Sequence, residues 1–419
     1  MMETNGSANQ TADYIDKGKL QINVFSNEIG APVKDAAVRI SNNSNGKIIE
    51  EVYTDSSGQT PVIDLPAPPL EYSLTPGSPK PYSEYNVSVQ SQGYEPVNFE
   101  GVQILPQARA LQNANVIPIQ NGIITPESIE IKPHTLYAEF PPKIPEDEVK
   151  PLPESSGLVV LPKPVVPEFV IVHLGVPSDS SAKNVWVYFK DYIKNVASCE
   201  IYSTWTTETI KANVLAILSF TLNRVYTEWY TGKGYDFTIT NSTAYDQSFS
   251  YGRNIYDSIS VVVDDLFTTF VTRPNIRQPL FTQYCDGVRV QCKGLSQWGS
   301  QELGKQGLDA ISIIRNYYGS DAFLMQAEKV EGVPRSYPGS PLQVGSSGAN
   351  VRVIQEQLNA ISNKFPALQK IKVDGIFGNQ TQEAVKTFQR IFNLPVNGVV
   401  DFATWYAISN IYVSVMKMA

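Results

Sequence analysis

Histidine is nearly missing from this sequence: among 419 residues it occurs only as His134 and His173. Zinc sites built from several histidines, and most Ser-His-Asp arrangements, are thereby excluded as the source of any chemistry. Cysteine is as sparse, with three residues, so at most one bridge can form and disulfides are not the main staple of the fold. Positive charge is in deficit, 33 Lys plus Arg against 41 Asp plus Glu, and the net charge of −8 argues against a nucleic-acid partner bound through its phosphates. No window offers a run of about eighteen uncharged apolar residues, so no membrane partner or span is expected. The opening stretch MMETNGSANQTADYIDKGKL lacks the basic start and apolar run of an ordinary signal peptide. Any chemistry is left to carboxylates, with no cofactor and no metal called for.

What is present is 22 Tyr, 17 Phe and 29 Pro with 42% hydrophobic residues, ample for folded cores. At about 150 residues per domain, the length suggests two to four domains. After a flexible stretch over 1–18, residues 19–106 alternate apolar and polar side chains in short runs (Leu20, Ile22, Val24; Val38, Ile40; Tyr85, Val87, Val89) between Gly, Pro, Asn and Asp turns. That pattern predicts an antiparallel β-sandwich. Residues 107–167 hold a dense run of prolines (PPKIPEDEVKPLPESSGLVVLPKPVVP), which predicts an exposed connector open to proteolysis. A central α+β, helix-rich unit is expected over 168–328, with a one-face helix from Val185 to Ser198 and a buried helix from Thr207 to Tyr230 capped by Thr206. Glu200 falls at the corner between the two helices. A second linker, 329–340, leads to a three-helix bundle over 341–419.

Three stretches carry family resemblances. Gly30 to Val38, Thr54 to Gly58 and Gly93-Tyr94 resemble the carboxypeptidase-regulatory or Cna-B-like sandwich. Leu342 to Val351, the Val373-Asp374-Gly375-Ile376-Phe377-Gly378 turn, Thr381 to Gln389, and Leu394 to Trp405 resemble the peptidoglycan-binding module, a resemblance that implies wall binding near Asp374, Gly375, Phe377 and Gly378. Most of these residues equally serve a small helical core. In the central unit, Tyr192 to Trp205 followed by Glu208 to Ala216, and later Gly294-Leu295-Ser296-Gln297-Trp298-Gly299 with Tyr317-Tyr318-Gly319, resemble the two signatures of the SpoIID/LytB family. That resemblance implies a lytic transglycosylase with Glu200 as its catalytic acid.

The whole order resembles the clostridial spore cortex-lytic enzymes. It implies a zymogen made in the mother cell, located in the spore and activated by a subtilisin-like Csp-type protease that removes an N-terminal prosegment; its substrate is cortex peptidoglycan. The residues themselves support a single acid at Glu200. A helix carboxyl end disfavours an anion, and Ile201, Tyr202 and Trp205 would desolvate the group, the direction a general acid needs. Hydrolysis by the usual routes would add a second carboxylate, with Glu208 or Asp286 as candidates for a muramidase. An amidase cutting the muramoyl–alanine link, or a noncatalytic wall-binding spore protein, would also fit the architecture. Glu208 also reads as a helix-start charge. Lys211 would position sugar or peptide carboxylates, or snorkel from its helix. Tyr202, Trp205, Ser296, Gln297 and Trp298 would line the glycan cleft, or, for the last three, cap and pack a helix start. The chain departs from the SpoIID pattern at Gln291-Cys292-Lys293-Gly294, where relatives read Gly-His-Gly, and at Leu218-Ser219, where they read Arg-Thr. Some members hold zinc in this region; with no histidine after His173, none is expected here. Cys285 and Cys292 are left either bridged or reduced.

Overall fold

The computed structural model describes residues 16–26, 31–119, 124–151, 163–329 and 340–417. Residues 1–15 of the expected flexible start, 330–339 of the second linker, and 152–162 within the proline-rich stretch lie outside the described residues.

The N-terminal unit is a sandwich of β1 (Asp16–Ser26), β2 (Ala37–Asn42), β3 (Ile48–Tyr53), β4 (Ile63–Ala67), β5 (Ser83–Gln90), β6 (Val97–Ile104), β7 (Arg109–Val116) and β8 (Glu127–Glu130). Leu20, Ile22 and Val24 alternate inward along β1 and are fully buried, as a period of two demands. Two features correct the expected antiparallel sandwich over 19–106. The sheets are mixed, because β7 runs parallel to β1 and β8 parallel to β6. Both of these strands lie beyond residue 106, in the stretch expected to be a connector.

The central unit begins with β9 (Val165–Val166), β10 (Phe169–His173) and β11 (Asn184–Tyr188), followed by α1 (Phe189–Glu200) and α2 (Thr207–Tyr226). The helix expected from Val185 starts at Phe189 instead, because Asn184–Tyr188 pairs antiparallel with β10. The second helix stops short of Tyr230, at Tyr226. Thr206 caps α2, its hydroxyl accepting the Thr209 N–H at 3.3 Å. Then come β12 (Ile239–Thr240), β13 (Ile255–Tyr256), α3 (Asp257–Leu266), β14 (Thr269–Thr272), β15 (Tyr284–Cys285), β16 (Leu295–Ser296), α4 (Gln297–Lys305) and α5 (Ala310–Tyr318). α2 is buried on nearly every side, with α3, α4, α5 and β14 packed around it. β13 leaves this unit to pair with β7, extending the sandwich sheet, so the first two units share one hydrophobic core.

Residues 131–150 form a strap across the central unit rather than an exposed connector. His134 is fully buried and Leu136 nearly so. The strap's Glu146 clasps Arg224 of α2 through two bonds of 2.7 and 3.0 Å, and Lys150 pairs with Glu146 at 2.8 Å. Glu148 pairs with Arg273 at 2.9 Å. Proline removes a backbone donor but keeps its carbonyl, and this strap binds largely through carbonyls and side chains.

The C-terminal unit packs α6 (Ala349–Ser362), α7 (Asn379–Ile391) and α8 (Phe402–Lys417) around their own core. It contains the same lock twice. Gln355 takes the Gly375 N–H at 2.8 Å and reaches Asp374, the Ile376 carbonyl and Thr381. Gln389 takes the Gly398 N–H at 2.8 Å and reaches Asn397, the Val399 carbonyl and Thr404. Each turn needs glycine, with φ of +73° at Gly375 and +72° at Gly398. Among the described residues no helix is long and apolar enough to cross a membrane.

Candidate active site

Glu200 is the last residue of α1 and 3% exposed. Its Oε1 accepts the Ser248 N–H at 2.8 Å, with the Tyr284 hydroxyl 3.5 Å away. Gln297, at the start of α4, donates to the Glu200 carbonyl at 2.8 Å and to Oε2 at 3.3 Å. The remaining neighbour of Oε2 comes from the strap: the Thr135 hydroxyl stands 3.0 Å from it and 2.9 Å from the Cys199 carbonyl. Thr135 thus ties the strap to both the side chain and the backbone at the end of α1.

Above the carboxyl lies a cavity of about 300 Å³ with walls of two origins. Glu200, Tyr284, Asp286, Arg289 and Gln297 belong to the central unit; Thr135, Glu139, Phe140 and Lys143 belong to the strap. Lys143 is anchored by bonds to the carbonyls of Asp246 at 2.5 Å and Thr243 at 3.3 Å, and burial pushes its amine down. The Tyr284 phenol is pushed well up by burial and by the nearby Glu200.

Asp286 is not a free second acid. Its Oδ1 accepts the N–H groups of Val288, Arg289 and Val290, and its Oδ2 holds the Arg289 Nε at 2.8 Å. Glu208 lies at the start of α2, bonded to Lys211 at 2.8 Å and to the Ala310 N–H at 2.9 Å. Neither Glu208 nor Lys211 lines the cavity. Cys285 and Cys292 are bridged, and Cys199 is a free, buried thiol. Among the described residues no three His, Cys, Asp or Glu side chains gather in a way that could hold a metal.

The other expected site residues divide. Only Gln297 joins Glu200 in the cavity. Ser296 caps α4, accepting the Gly299 N–H at 2.9 Å. Tyr202 and Trp205 are 1% and 4% exposed and lie beneath the sandwich, where the Trp205 indole donates to the Ser73 carbonyl at 2.9 Å. Trp298 is half-buried and sits 5.0 Å from the Trp205 ring. These aromatics therefore do not line the cavity. Asp374 and Gly375 build the first glutamine-locked turn, Gly378 precedes α7, and Phe377 is fully buried, so its ring cannot touch a ligand. Sequence reasoning missed Thr135, Lys143, Ser248, Tyr284 and Arg289. A signal existed for Arg289 alone, in the Asp286-Gly287 turn between two cysteines.

Residues 347–408 match the family described as "Putative peptidoglycan binding domain". The structure of the SleB N-terminal domain is 33% identical over 17% of this chain and 93% of that chain, with a TM-score of 0.16. The Bacillus anthracis TIE protein is 16% identical over 25% of this chain and 17% of its own, with a TM-score of 0.18. The minor pilin GBS52 of Streptococcus agalactiae is 11% identical over 26% of this chain and 48% of its own, with a TM-score of 0.18. No curated protein matches the chain.

Proposed function

From the premise that the chain carries a peptidoglycan-binding module, we propose that it cleaves peptidoglycan glycan strands as a lytic transglycosylase with Glu200 as its lone acid and base. The observation that carries this reading is the buried Glu200 carboxyl lining a cavity whose other central-unit carboxylate, Asp286, is fully engaged and whose remaining carboxylate, Glu139, belongs to the strap. Glu200 gives its proton to the glycosidic oxygen as the bond to the muramoyl anomeric carbon breaks. The resulting carboxylate takes the proton of the muramoyl 6-hydroxyl, whose oxygen closes on that carbon to leave a 1,6-anhydro end. Ser248, Gln297 and Tyr284 hold the carboxyl in place.

The strap supports the zymogen half of the reading. Thr135 fills the place a sugar hydroxyl would take at Oε2, and the sandwich covers Trp205, a face suited to sugar stacking. We read residues up to about 150 as the prosegment, released by a subtilisin-like Csp-type protease that cuts after the strap. Cutting there leaves the strap joined to the central unit by noncovalent contacts only, so substrate can compete for the cleft. The resemblance to clostridial cortex-lytic enzymes, SleC above all, supports spore cortex peptidoglycan as the substrate and germination as the occasion. A muramidase using Glu208 finds no support in the position of that residue.

The nicked chain is expected to solubilise cortex with anhydro-ended products by mass spectrometry. Glu200→Gln should still bind wall material while losing about 10²- to 10⁴-fold in rate. Products that all carry reducing ends, or an active Glu200→Gln, would reject the assignment.

A further inference from the structure

Arg289 is held as a fork aimed at carbonyl oxygens. Its Nη1 donates to the backbone carbonyls of Tyr137 and Ala138, each at 2.9 Å, and its Nη2 to that of Thr135 at 2.7 Å. All three acceptors belong to the strap. What aims the fork belongs to the central unit. Asp286 grips Nε with one oxygen and three loop N–H groups with the other, and the Cys285–Cys292 bridge closes the same loop. Gly287 has φ +77°, and a Cβ there would fall 1.8 Å from the Ser296 Oγ, so the loop lies tight against the start of α4. Gln297, which holds Glu200, is the first residue of that helix. Carboxyl and guanidinium thus share one frame, and Thr135 bridges them, hydroxyl to Glu200 and carbonyl to Arg289.

A chain segment that offers a hydroxyl to the acid and amide carbonyls to a fixed fork imitates the polar groups of a peptide-bearing glycan strand. We infer that Arg289, once the strap has left, is the substrate-binding residue that positions the strand by its amide carbonyls. This rests on the lytic reading of Glu200. Two parts of the substrate carry such carbonyls, the peptide stem on the muramoyl residue and the acetamido groups of the sugars. The three strap acceptors fall within one short stretch of backbone, Thr135 to Ala138, a spread that matches a peptide.

The nicked full-length chain is assayed on peptide-bearing strands and on strands stripped of peptide, as wild type, Arg289→Ala and Arg289→Lys. Both variants should raise KM by about 10-fold with kcat within about threefold, because lysine keeps the charge but loses the fork. A rise confined to peptide-bearing strands identifies the stem as the source of the carbonyls; a rise on both identifies the acetamido groups. Unchanged KM on both substrates in both variants overturns the inference while leaving the lytic reading intact. Should the nicked wild type prove inactive on all wall material, the lytic reading fails. Binding then decides: nicked Glu200→Gln is titrated with a soluble disaccharide-peptide and with the peptide-free disaccharide, with and without Arg289→Ala. Loss of affinity in the Arg289→Ala background upholds the inference, and equal affinity overturns it.

Discussion

The cleft of the central unit and the C-terminal module are both built around residues that a motif would single out, yet they use them oppositely. In the module, Gln355 and Gln389 bind their turns completely, and Phe377 fills the core. The N–H groups of Asp374 and Gly375, and of Asn397 and Gly398, are all taken by these two glutamines. In the cleft, Glu200 is held on one side by Ser248 and Gln297 from its own unit, and on the other by Thr135 from the strap, the segment proposed to leave after cleavage. A buried group whose last partner is removable is a candidate for chemistry, whereas one whose partners are all permanent is architecture.

The sharpest break of this comparison is Phe377→Ala. Removing a fully buried ring should destabilise the module by about 3–5 kcal/mol, enough to unfold a small three-helix unit. Calorimetry should show the module's transition lost while the rest of the nicked chain still acts on soluble strands. Loss of both together would mean that the two regions do not fold separately. Next in size is Glu146→Ala, which leaves Arg224 with Asp246 and the Tyr245 carbonyl and removes the acid paired with Lys150. Breaking a buried pair costs about 3 kcal/mol or more, and here the cost falls on the strap, so the uncut chain should gain activity. Acid should act the same way. Bonds from Arg224 and Lys150 outweigh burial and hold the Glu146 carboxyl below the usual range, so its contribution is present above the unfolded pKa and is lost as pH falls through the lower, folded value. Hydrogen-exchange protection factors along residues 131–150, corrected for the intrinsic pH dependence of exchange, should therefore fall below about pH 4 and stay constant near neutrality. Equal protection at both pH values would remove Glu146 from the latch.

The position of Glu200 was legible because it depends on local rules: a one-face helix ends, a short corner follows, and a capped helix begins. The sandwich was legible up to β6 for the same reason. β7 and β8 were not, since parallel pairing with β1 and β6 is a long-range matter that no short window reports. The strap runs against expectation because a dense run of prolines suggests exposure. Prolines mean only that donors are missing, and the strap still binds through the carbonyls of Thr135, Tyr137 and Ala138 and through the Thr135 N–H, which reaches the Cys199 carbonyl at 3.1 Å. Tyr202 and Trp205 are expected to line the cleft, yet the Trp205 partner is Ser73, 132 residues away, a contact that no local pattern reports. Residues 347–408 match a peptidoglycan-binding family, as the resemblance of this stretch implied, although Phe377, the aromatic expected to meet the wall, is fully buried.

The smallest of these changes concerns a single hydroxyl. Thr135→Val keeps the shape of the strap and removes one hydroxyl, leaving Oε2 with Gln297 alone. A hydrogen bond to a group that can ionise is worth about 1.5–3 kcal/mol, but water reaching through the cavity would replace part of it, so about 1 kcal/mol is expected. That shift corresponds to roughly a fivefold rise in the fraction of uncut chain with an open cleft, read as activity before proteolysis. If the strap departs as proposed, the same substitution should leave the nicked chain's rate unchanged. If instead the rate after cutting falls, Thr135 stays in place during turnover, and the strap is a permanent wall of the cleft rather than its removable cover.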